Sequence, residues 1–402
     1  MNRLLKDILL AIVTAVSFSA FIYLDDFGWS IKILNTLLGI TAISLFLYIP
    51  KRSILIAGFL IGLLWFYWIG YSFKYQGVGY MQPIITISFG FIYLLFFLPL
   101  ALTKNPLLRA LFLFLLTFIA PFNWNWMQVE LPFINSYIGV YKYQFSALLL
   151  ALSLPSIIRV KPYRYLPLLL LFAALNYGYP KQQLAPLKIK LVTTHITQDQ
   201  KWQEVNLYPT VRMAFKAIEE AIEEGYDVVV LPESVFPLYM NETPSLIKNL
   251  LKFSKKITIV AGSLLKEDGK NYNVTYMFQD GRYQIAKKLV LVPFGEYIPL
   301  PKFAQKFIND TFFSGASDFV TAKKPTDFLI KGIKFRNAIC YEATCPELYK
   351  NVPKYMIAMS NNAWFAPSIE PTLQKLLMEY YARKHGVTIY HSANYKGSGI
   401  IQ

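Results

Sequence analysis

The sequence predicts two domains of different class: a multi-span α-helical membrane domain over residues 1–180 and an α/β domain over residues 181–402. Three observations support this division. Residues 1–178 contain only twelve Lys or Arg and four acidic residues, so nearly all the others are apolar, aromatic or small. Several apolar runs in this stretch are long enough to cross a bilayer. After Pro186 the pattern changes to short β-rich runs that alternate with helical ones, which is typical of an α/β domain.

The first domain is predicted to contain seven membrane-spanning helices. A bilayer core about 30 Å thick needs roughly 20 mostly apolar residues per helix, because unpaired backbone groups are too costly in hydrocarbon. The first segment is too long, and too closely followed by others, to be a cleaved signal peptide. The predicted segments are approximately 5–24, 31–49, 53–72, 83–103, 107–122, 144–160 and 165–178, of which the last three are the shortest.

Basic residues alternate between the ends of these segments, which predicts the orientation. Lys and Arg near helix ends are retained on the cytoplasmic side. One set of ends has nine of them: Arg3, Lys6, Lys51, Arg52, Lys104, Arg109, Arg159, Lys161 and Arg164. The other set has only Lys32, Lys74 and Lys142, beside Asp25, Asp26 and Glu130. The N-terminus is therefore predicted to be cytoplasmic. Seven crossings then place the second domain outside, in the periplasm of a bacterial cell with its membrane domain in the inner membrane, whereas an even number would reverse this.

Charge and residue spacing exclude several classes of function. The formal net charge of +16 is divided about equally between the two domains, and in the second it is too diffuse to form a nucleic-acid-binding stripe. An anionic membrane surface is the better electrostatic partner. The spacing of Cys340 and Cys345 fits neither a redox motif nor a zinc site, and it leaves open a disulfide or two buried small residues. We expect no metal and no cofactor, because the histidines lack metal-ligand spacing: His195, His385 and His391.

The second domain has enough residues for one sizeable core. Its clearest helix is predicted over residues 208–225, where apolar side chains recur at helical spacing through Val211, Phe215, Ile218 and Ile222. Further helices are predicted at 244–253, 346–350 and 371–385. Strands are predicted at 189–194, 227–231, 257–264, 273–278, 284–290, 333–339, 355–359 and 388–392.

Three polar residues stand at the carboxyl ends of predicted strands, where α/β sheets present chemistry to a crevice. They are Glu233, Lys288 and Cys340. A carboxylate, an ammonium and a thiol are the minimum set for nucleophilic acyl transfer without histidine. The thiolate attacks a carbonyl, the carboxylate accepts the thiol proton, and the ammonium stabilises the oxyanion. Each residue alone is weak evidence, since such a Glu often caps a turn, a Lys is often solvated and a Cys is often core.

The sequence motifs around these residues resemble those of the nitrilase superfamily, whose members use a Glu-Lys-Cys triad on an α-β-β-α sandwich. Leu231–Ser234 is similar to the glutamate motif, and Cys340–Glu342 to the cysteine motif. Lys288–Tyr297 resembles the lysine segment of one membrane branch, the apolipoprotein N-acyltransferases. Other segments similar to that branch are Lys201-Trp202, residues 360–365, residues 392–394 and residues 130–137.

The resemblance implies a two-step reaction. The acyl donor would be a glycerophospholipid, and the acceptor would be the α-amine of a lipoprotein's N-terminal, diacylglyceryl-modified cysteine. Cys340 would carry the acyl chain as a thioester, with Glu233 as general base and Lys288 as stabiliser of the oxyanion and the thiolate. No nucleotide or metal is required, because ester, thioester and amide form a downhill series. The expected partners are these two lipids and the surrounding membrane lipids, with the protein a monomer.

The resemblance also implies supporting residues. Glu296 and Glu342 would brace Lys288 and the pocket, with fold-orienting ion pairs as the alternative. The backbone N–H of Tyr341 would help to form the oxyanion hole. Trp202 and Trp364 would contact lipid, unless they only pack.

A further expectation concerns an apolar segment over residues 303–319. It combines phenylalanines with Gly315 and Ser317 and lacks clear periodicity, so it is predicted to be a lid over the lipid site. Phe312 and Phe313 would then bind substrate. The alternative is a loop whose phenylalanines fill the domain core.

The sequence departs from the family's pattern at two places. It ends at Gln402, whereas the family usually continues through further strands and a final membrane helix. A natural short form and a cut chain are both consistent with this, and the triad lies upstream of the difference. Asn362 also stands where an acidic residue is common.

Two other functions compete with acyl transfer to an amine. In a membrane-tethered nitrilase-type amidase, water would resolve the thioester. The many spans and the segment 288–297 favour transfer, because a soluble substrate would need only one anchor. In a transporter or lipid scaffold the second domain would be degenerate. The spans show no convincing inverted repeat or charged midplane residue, and all three triad residues are present.

Overall fold

The computed structural model describes residues 2–293, 295–297 and 319–402. The chain separates into two compact units, Met1–Tyr179 and Pro180–Gln402. The first unit is helical and the second contains every strand of the two sheets.

The first unit contains seven α-helices among its described residues. The chain continues beyond α3 as a 3₁₀ helix over Tyr67–Gln76. Helix α5 begins where the Asn105 side chain accepts hydrogen bonds from the backbone N–H groups of Leu107 and Leu108, with Pro106 in the first helical position. The helices are α1 (Arg3–Asp26), α2 (Lys32–Tyr48), α3 (Lys51–Phe66), α4 (Gln82–Leu102), α5 (Pro106–Leu116), α6 (Lys142–Ser153) and α7 (Leu170–Ala174).

Three helical segments of the described chain are long and apolar enough to span a bilayer: Arg3–Asp26, Lys51–Tyr75 and Gly79–Leu102. Helices α2 and α5 are apolar but shorter. The segments predicted at 144–160 and 165–178 are interrupted, since α6 ends before Pro155 and a 3₁₀ turn containing Pro167 precedes the five residues of α7. Proline lacks the N–H that a continuous helix needs. Seven crossings therefore stay a prediction.

Glycines allow α3 and α4 to pack closely. A Cβ at Gly62 would lie 2.4 Å from the carbonyl oxygen of Phe89, and one at Gly58 would lie 2.9 Å from that of Tyr93. Small residues at such crossings permit the backbone approach that holds membrane helices together.

Arg109 is the largest charged side chain buried in this unit, with 2% of its surface exposed. Its Nη1 donates hydrogen bonds to carbonyls that end α2, including those of Leu47 at 3.1 Å and Ile49 at 2.8 Å. Its Nε donates to the carbonyls of Leu100 at 3.1 Å and Thr103 at 3.0 Å, at the end of α4. One guanidinium therefore satisfies the last carbonyls of two helices, where its charge also complements the helix dipoles.

The second unit consists of two five-stranded sheets. In the first, β1–β2 and β2–β3 are parallel, whereas β3–β4 and β4–β5 are antiparallel. In the second, β7–β8 and β8–β9 are parallel, with β6 and β10 antiparallel at the edges. The first sheet has the order β1 (Ile189–Leu191), β2 (Val228–Val230), β3 (Thr258–Glu267), β4 (Lys270–Gln279), β5 (Arg282–Lys287). The second has the order β10 (Gly399–Ile401), β9 (Thr388–Asn394), β8 (Tyr355–Asn361), β7 (Ile333–Ile339), β6 (Asp327–Ile330).

The two sheets pack face to face and are covered by helices. Val228, Val230 and Val260 of the first sheet share one apolar cluster with Ile339 and Ile357 of the second. The opposite face of the first sheet packs against helices α9 and α10, and one more helix contacts β9 and β10 of the second sheet. The helices of this unit are α8 (Gln198–Lys201), α9 (Glu204–Glu223), α10 (Pro244–Phe253) and α11 (Glu370–His385). The predicted fold class, a helical membrane domain with an α-β-β-α sandwich, is confirmed.

Two edge strands are not among the predicted strands, and one predicted helix has a different type. Strands β6 and β10 have only four and three residues and lie at a sheet edge, so their sequences carry little periodicity. The helix predicted at 346–350 is a 3₁₀ turn over Pro346–Tyr349.

Candidate active site

The structure brings the three strand-end residues together within the second unit. Glu233 follows β2, Lys288 follows β5, and Cys340 follows β7 of the other sheet. The Lys288 Nζ lies 4.0 Å from Glu233 Oε1, and these two side chains are almost completely buried. Both charges act on the partly buried Cys340 thiol. The sandwich therefore places an acid, a cation and a thiol where the two sheets meet.

Glu233 is held by hydrogen bonds to both oxygens of its carboxylate. The Asn273 Nδ2 donates to Oε1 at 2.8 Å, and the backbone N–H of Asn361 donates to Oε2 at 2.8 Å. The Nζ of Lys201 donates to the backbone carbonyl of Glu233, also at 2.8 Å. The carboxylate is therefore fixed in orientation, and it keeps lone pairs for a proton.

The chain around Glu233 makes a tight turn against β3. Ser234 has a φ of 46°, and a Cβ at Gly262 would lie 2.4 Å from the Ser234 nitrogen and 2.7 Å from the Glu233 Cα. Only glycine fits opposite this turn without moving backbone atoms. Gly262 thus sets how far Glu233 reaches into the site.

Lys288 is paired with a second carboxylate. Its Nζ lies 2.8 Å from Glu296 Oε1, and the other Glu296 oxygen accepts a hydrogen bond from the backbone N–H of Val292 at 2.8 Å. Burial opposes the charged form of Lys288, but Glu296 and Glu233 outweigh it and hold the lysine pKa above its usual value. Lys288 is therefore a permanent cation beside the thiol.

Cys340 occupies a strained turn directly after β7, with a φ of 56°. Burial and the charge of Glu233 raise the pKa of its thiol well above the usual value, while Lys288 lowers it less. The Nε2 of Gln374 lies 3.9 Å from the Sγ. Cys340 and Cys345 are not joined by a disulfide, so the structure does not support that alternative. The raised pKa favours the protonated thiol, so ionisation of Cys340 would need a base.

Glu342 connects the Cys340 turn to the segment after Lys288. One of its oxygens accepts a hydrogen bond from the backbone N–H of Ile339 at 2.7 Å. The other accepts from the N–H groups of Val290 at 3.0 Å and Leu289. Burial raises the pKa of Glu342 to about 7. Glu342 therefore joins the two chain segments that carry Lys288 and Cys340.

The remaining predicted residues lie in different environments. Tyr341 is 2% exposed and directly follows Cys340. Trp202 is 45% exposed at the end of α8, and Trp364 is partly buried in the 3₁₀ turn Asn362–Phe365. Their contacts with lipid stay predictions. The predicted lid residues, Phe312 and Phe313, lie outside the described residues.

Sequence reasoning missed four residues that touch the triad: Lys201, Asn273, Asn361 and Gln374. Lys201 lies in the segment Lys201-Trp202 that resembles the family, but the sequence predicts a role only for Trp202. It is 2% exposed, and burial lowers its pKa to about 8. Asn273 begins one of the predicted strands, but β4 contains other polar residues, so the sequence does not single it out. In the described parts of the chain, no group of three or more His, Cys, Asp or Glu side chains is arranged to hold a metal ion.

Comparisons with known proteins match both units. Residues 5–177 match the family model of the apolipoprotein N-acyltransferase integral membrane domain, and residues 196–388 match that of the carbon-nitrogen hydrolases. The apolipoprotein N-acyltransferase of Wolinella succinogenes is 43% identical, over 98% of this chain and 96% of its own. That of Helicobacter hepaticus is 39% identical over 92% and 94%, and that of Helicobacter pylori is 35% identical over 97% and 95%. A solved CN-hydrolase superfamily protein from Xanthomonas campestris aligns with 53% of this chain and 77% of its own, at 14% identity and a TM-score of 0.39.

Proposed function

The chain belongs to the apolipoprotein N-acyltransferase family, and on that premise we propose that Cys340 carries a fatty acyl chain from a glycerophospholipid to the α-amine of a diacylated apolipoprotein. One observation supports this route above the others. The free thiol of Cys340 lies under the joint influence of the Glu233 carboxylate and the Lys288 ammonium, whose charged atoms are 4.0 Å apart. This is an arrangement for covalent catalysis without histidine.

The first step forms the thioester. The thiol gives its proton to Glu233 as the sulfur attacks the ester carbonyl of the phospholipid, and a C–S bond forms. Lys288 stabilises the negative charge on the carbonyl oxygen. The C–O bond then breaks, and the lysophospholipid leaves with the proton from Glu233. Because the thiol pKa is raised, transfer of its proton accompanies the attack.

The second step forms the amide. The neutral amine attacks the thioester carbonyl, so that a C–N bond forms and the C–S bond breaks. Glu233 accepts a proton from the amine nitrogen and returns it to the sulfur, which restores the thiol. Neither step needs an oxidant, a reductant or a nucleotide. Water must be excluded while the thioester exists, since hydrolysis would compete with transfer.

The location follows from the charge pattern of the first unit. Nine of twelve basic residues fall at the ends predicted to be cytoplasmic. With seven crossings, the catalytic unit lies on the periplasmic side of a bacterial inner membrane. Phospholipid donors and exported lipoproteins are both accessible there.

A labelled-lipid assay tests the proposal. The purified full chain is incubated in detergent micelles with acyl-labelled phospholipid and a diacylated lipopeptide. We expect labelled lipopeptide from the wild type and none from Cys340→Ala, while the matched variant Cys345→Ala remains active. Without lipopeptide, the intact mass of the wild type should increase by one acyl chain, and hydroxylamine should remove it.

Two other results would contradict transfer to an amine. Free fatty acid as the main product would show that water resolves the thioester, as in an amidase. No product and no acylated enzyme in any arm would leave a scaffold or transporter. Activity that survives Cys340→Ala would exclude the covalent route.

A further inference from the structure

Helix α11 presents two buried polar side chains on the face that includes the Cys340 contact. Glu370 and Gln374 are four residues apart, so they lie one above the other on the same face of the helix. They are 1% and 0% exposed. Gln374 reaches the nucleophile, with its Nε2 3.9 Å from the Cys340 Sγ. An ionised Glu370 would be near enough to raise the pKa of the Cys340 thiol, and burial together with the charge of Glu233 raises the pKa of Glu370 itself. This face of α11 therefore forms one wall of the site.

Asn362 belongs to the same wall. Its Nδ2 donates to Gln374 Oε1 at 3.2 Å and to the backbone carbonyl of Lys396 at 2.9 Å. Because a backbone carbonyl can only accept, the amide orientation is fixed and Oδ1 is the oxygen left over. Asn362 is 1% exposed.

Two oxygen acceptors on this wall have no hydrogen-bond partner within the described ranges 2–293, 295–297 and 319–402. They are Asn362 Oδ1 and Glu370 Oε2, and both are buried. A buried acceptor without a donor loses the hydrogen bonds that water gave it and gains nothing in return. Such atoms are expected where a ligand supplies the missing donor.

The chemistry of the two substrates indicates which group that is. The ester that acylates Cys340 has no N–H or O–H donor at its reacting end. The group that enters second is a primary amine, with two or three N–H donors, and it must approach the thioester carbonyl on Cys340. An oxygen-lined wall that contacts the sulfur through Gln374 suits this amine.

We propose that Glu370 and Asn362 form the binding site of the acceptor's α-amine, on the α11 side of Cys340. This inference rests on the proposed transfer to an amine. The amine donates hydrogen bonds to Glu370 Oε2 and Asn362 Oδ1, which aims its lone pair at the thioester. Burial and the charge of Glu233 raise the pKa of Glu370 well above its usual value, which favours its neutral form. With its proton on Oε1, the neutral carboxyl accepts the amine N–H at Oε2 without holding the substrate as an ammonium, so the amine stays nucleophilic.

The two half-reactions separate this role from a general structural one. The variants are Glu370→Met, which removes the acceptor, and Glu370→Gln, which keeps one oxygen. Release of lysophospholipid without lipopeptide measures acylation of Cys340. Transfer at varied lipopeptide concentration measures the second step. We expect acylation to stay within about twofold of the wild type, and the KM for lipopeptide to rise about tenfold or more in Glu370→Met and less in Glu370→Gln.

The matched control is Glu379→Met, the same substitution nine residues later on α11. Nine residues are two and a half turns, so this side chain lies on the opposite face, where it pairs with Lys375 and Arg383. We expect an unchanged KM for lipopeptide. Thermal unfolding of each full-length variant checks its fold, and if Glu370→Met does not fold, Glu370→Gln decides the question alone.

A second source of a primary amine is the head group of phosphatidylethanolamine. The assays are therefore run with phosphatidylethanolamine and with phosphatidylglycerol of the same acyl chains. A rise in the lipopeptide KM with both donors supports the proposal. If the Glu370 variants acylate Cys340 more slowly with phosphatidylethanolamine only, the wall binds the donor head group. That result would overturn the proposal. Equal loss in both half-reactions, or an unchanged lipopeptide KM, would also overturn it.

The outcome is distinguishable from failure of the proposed function. If the wild type makes no acylated lipopeptide, transfer to an amine is wrong and the inference falls with it. If the wild type transfers normally and the Glu370 variants match it, only the inference is wrong.

Discussion

At the scale of single residues, Cys340 has two lysines near it rather than one. Lys288 is locked to Glu296, whereas Lys201 holds the Glu233 carbonyl and is electrostatically attracted to the Cys340 thiolate. The pKa of Lys201 is about 8 because burial disfavours its charge. Its contribution to thiolate stability should therefore depend on pH near neutrality, unlike that of Lys288.

Replacement of Lys201 by Met should slow alkylation of Cys340. Below pH 8 the wild-type lysine is charged and favours the thiolate, and above pH 8 it loses its proton and the advantage disappears. The wild-type rate with iodoacetamide should exceed the variant rate by about fivefold at pH 7 and approach it by pH 9. Intact mass spectrometry in a Cys345→Ala background measures both rates.

Lys216→Met provides the control for this experiment, because that lysine is 75% exposed on α9. Cys340 of the Lys216→Met variant should be alkylated at the wild-type rate at every pH. The alkylation rate of the wild type divided by that of Lys201→Met should fall between pH 7 and pH 9. A constant ratio would contradict the assignment of the pH dependence to Lys201.

The sequence predicted the triad because each of its residues follows a recognisable strand and lies within a specific sequence motif. Its partners were harder to predict. Gln374 and Glu370 lie on a helix whose packing against the Cys340 turn depends on how the second sheet folds. Asn361 acts through its backbone N–H, which every residue except proline supplies. Contacts that join distant segments leave no local pattern in the sequence.

At the scale of elements, Glu342 holds two segments that come from opposite sheets. Three backbone N–H groups donate to one carboxylate, yet burial keeps its pKa at about 7 rather than 4.5. Folding therefore raises the affinity of this carboxyl for a proton. Stability from this group is fully present below pH 4.5 and is lost as the pH rises through 7.

Replacement of Glu342 by Gln should remove that pH dependence. The melting temperature of the wild type relative to Glu342→Gln should fall as the pH rises from 5 to 7.5 and then level off, because only the wild type loses a proton in that range. Scanning fluorimetry of the full chain in detergent measures both proteins. A difference that rises or stays constant with pH would contradict the shifted pKa.

The shared cap at Arg109 predicts a large loss of stability in the helical unit. Arg109→Met leaves the buried carbonyls at the ends of α2 and α4 without their donor, which should cost on the order of 3 kcal/mol. The melting temperature should fall clearly, and Arg109→Lys should recover only part of it because an ammonium lacks the planar fork. Arg159→Met, at an exposed position, should melt like the wild type. Equal melting of all three would rule out the cap.

The elements themselves were largely predictable where side-chain periodicity was strong. Three consecutive valines mark β2, and the helical spacing of apolar residues marks α9. Edge strand β10 begins at Gly399 and has three residues, too few for a pattern. The apolar runs after residue 140 looked continuous by composition, although Pro155 and Pro167 break them into short helices.

At the scale of the whole molecule, the positions of the basic residues predict which side of the membrane the catalytic unit occupies. Alkaline phosphatase fused after residue 185 should be active, because it needs the disulfides that form only in an oxidising compartment. A fusion after Lys104, at a predicted cytoplasmic end, should be inactive. Activity assays on intact cells with matched expression levels compare the two. An inactive fusion at 185 with an active one at 104 would reverse the topology.

Gly262 bears on how activity is inferred for other chains. A homologue is easily counted as a working enzyme when its glutamate, lysine and cysteine align with those of this protein. If its residue opposite the glutamate turn carried even a methyl group, that group would lie 2.4 Å from one backbone nitrogen and 2.7 Å from the glutamate Cα, and the glutamate would have to move. Such a chain would be a pseudoenzyme with a complete triad. A survey for inactive members should therefore inspect the position that has no side chain as well as the glutamate, the lysine and the cysteine.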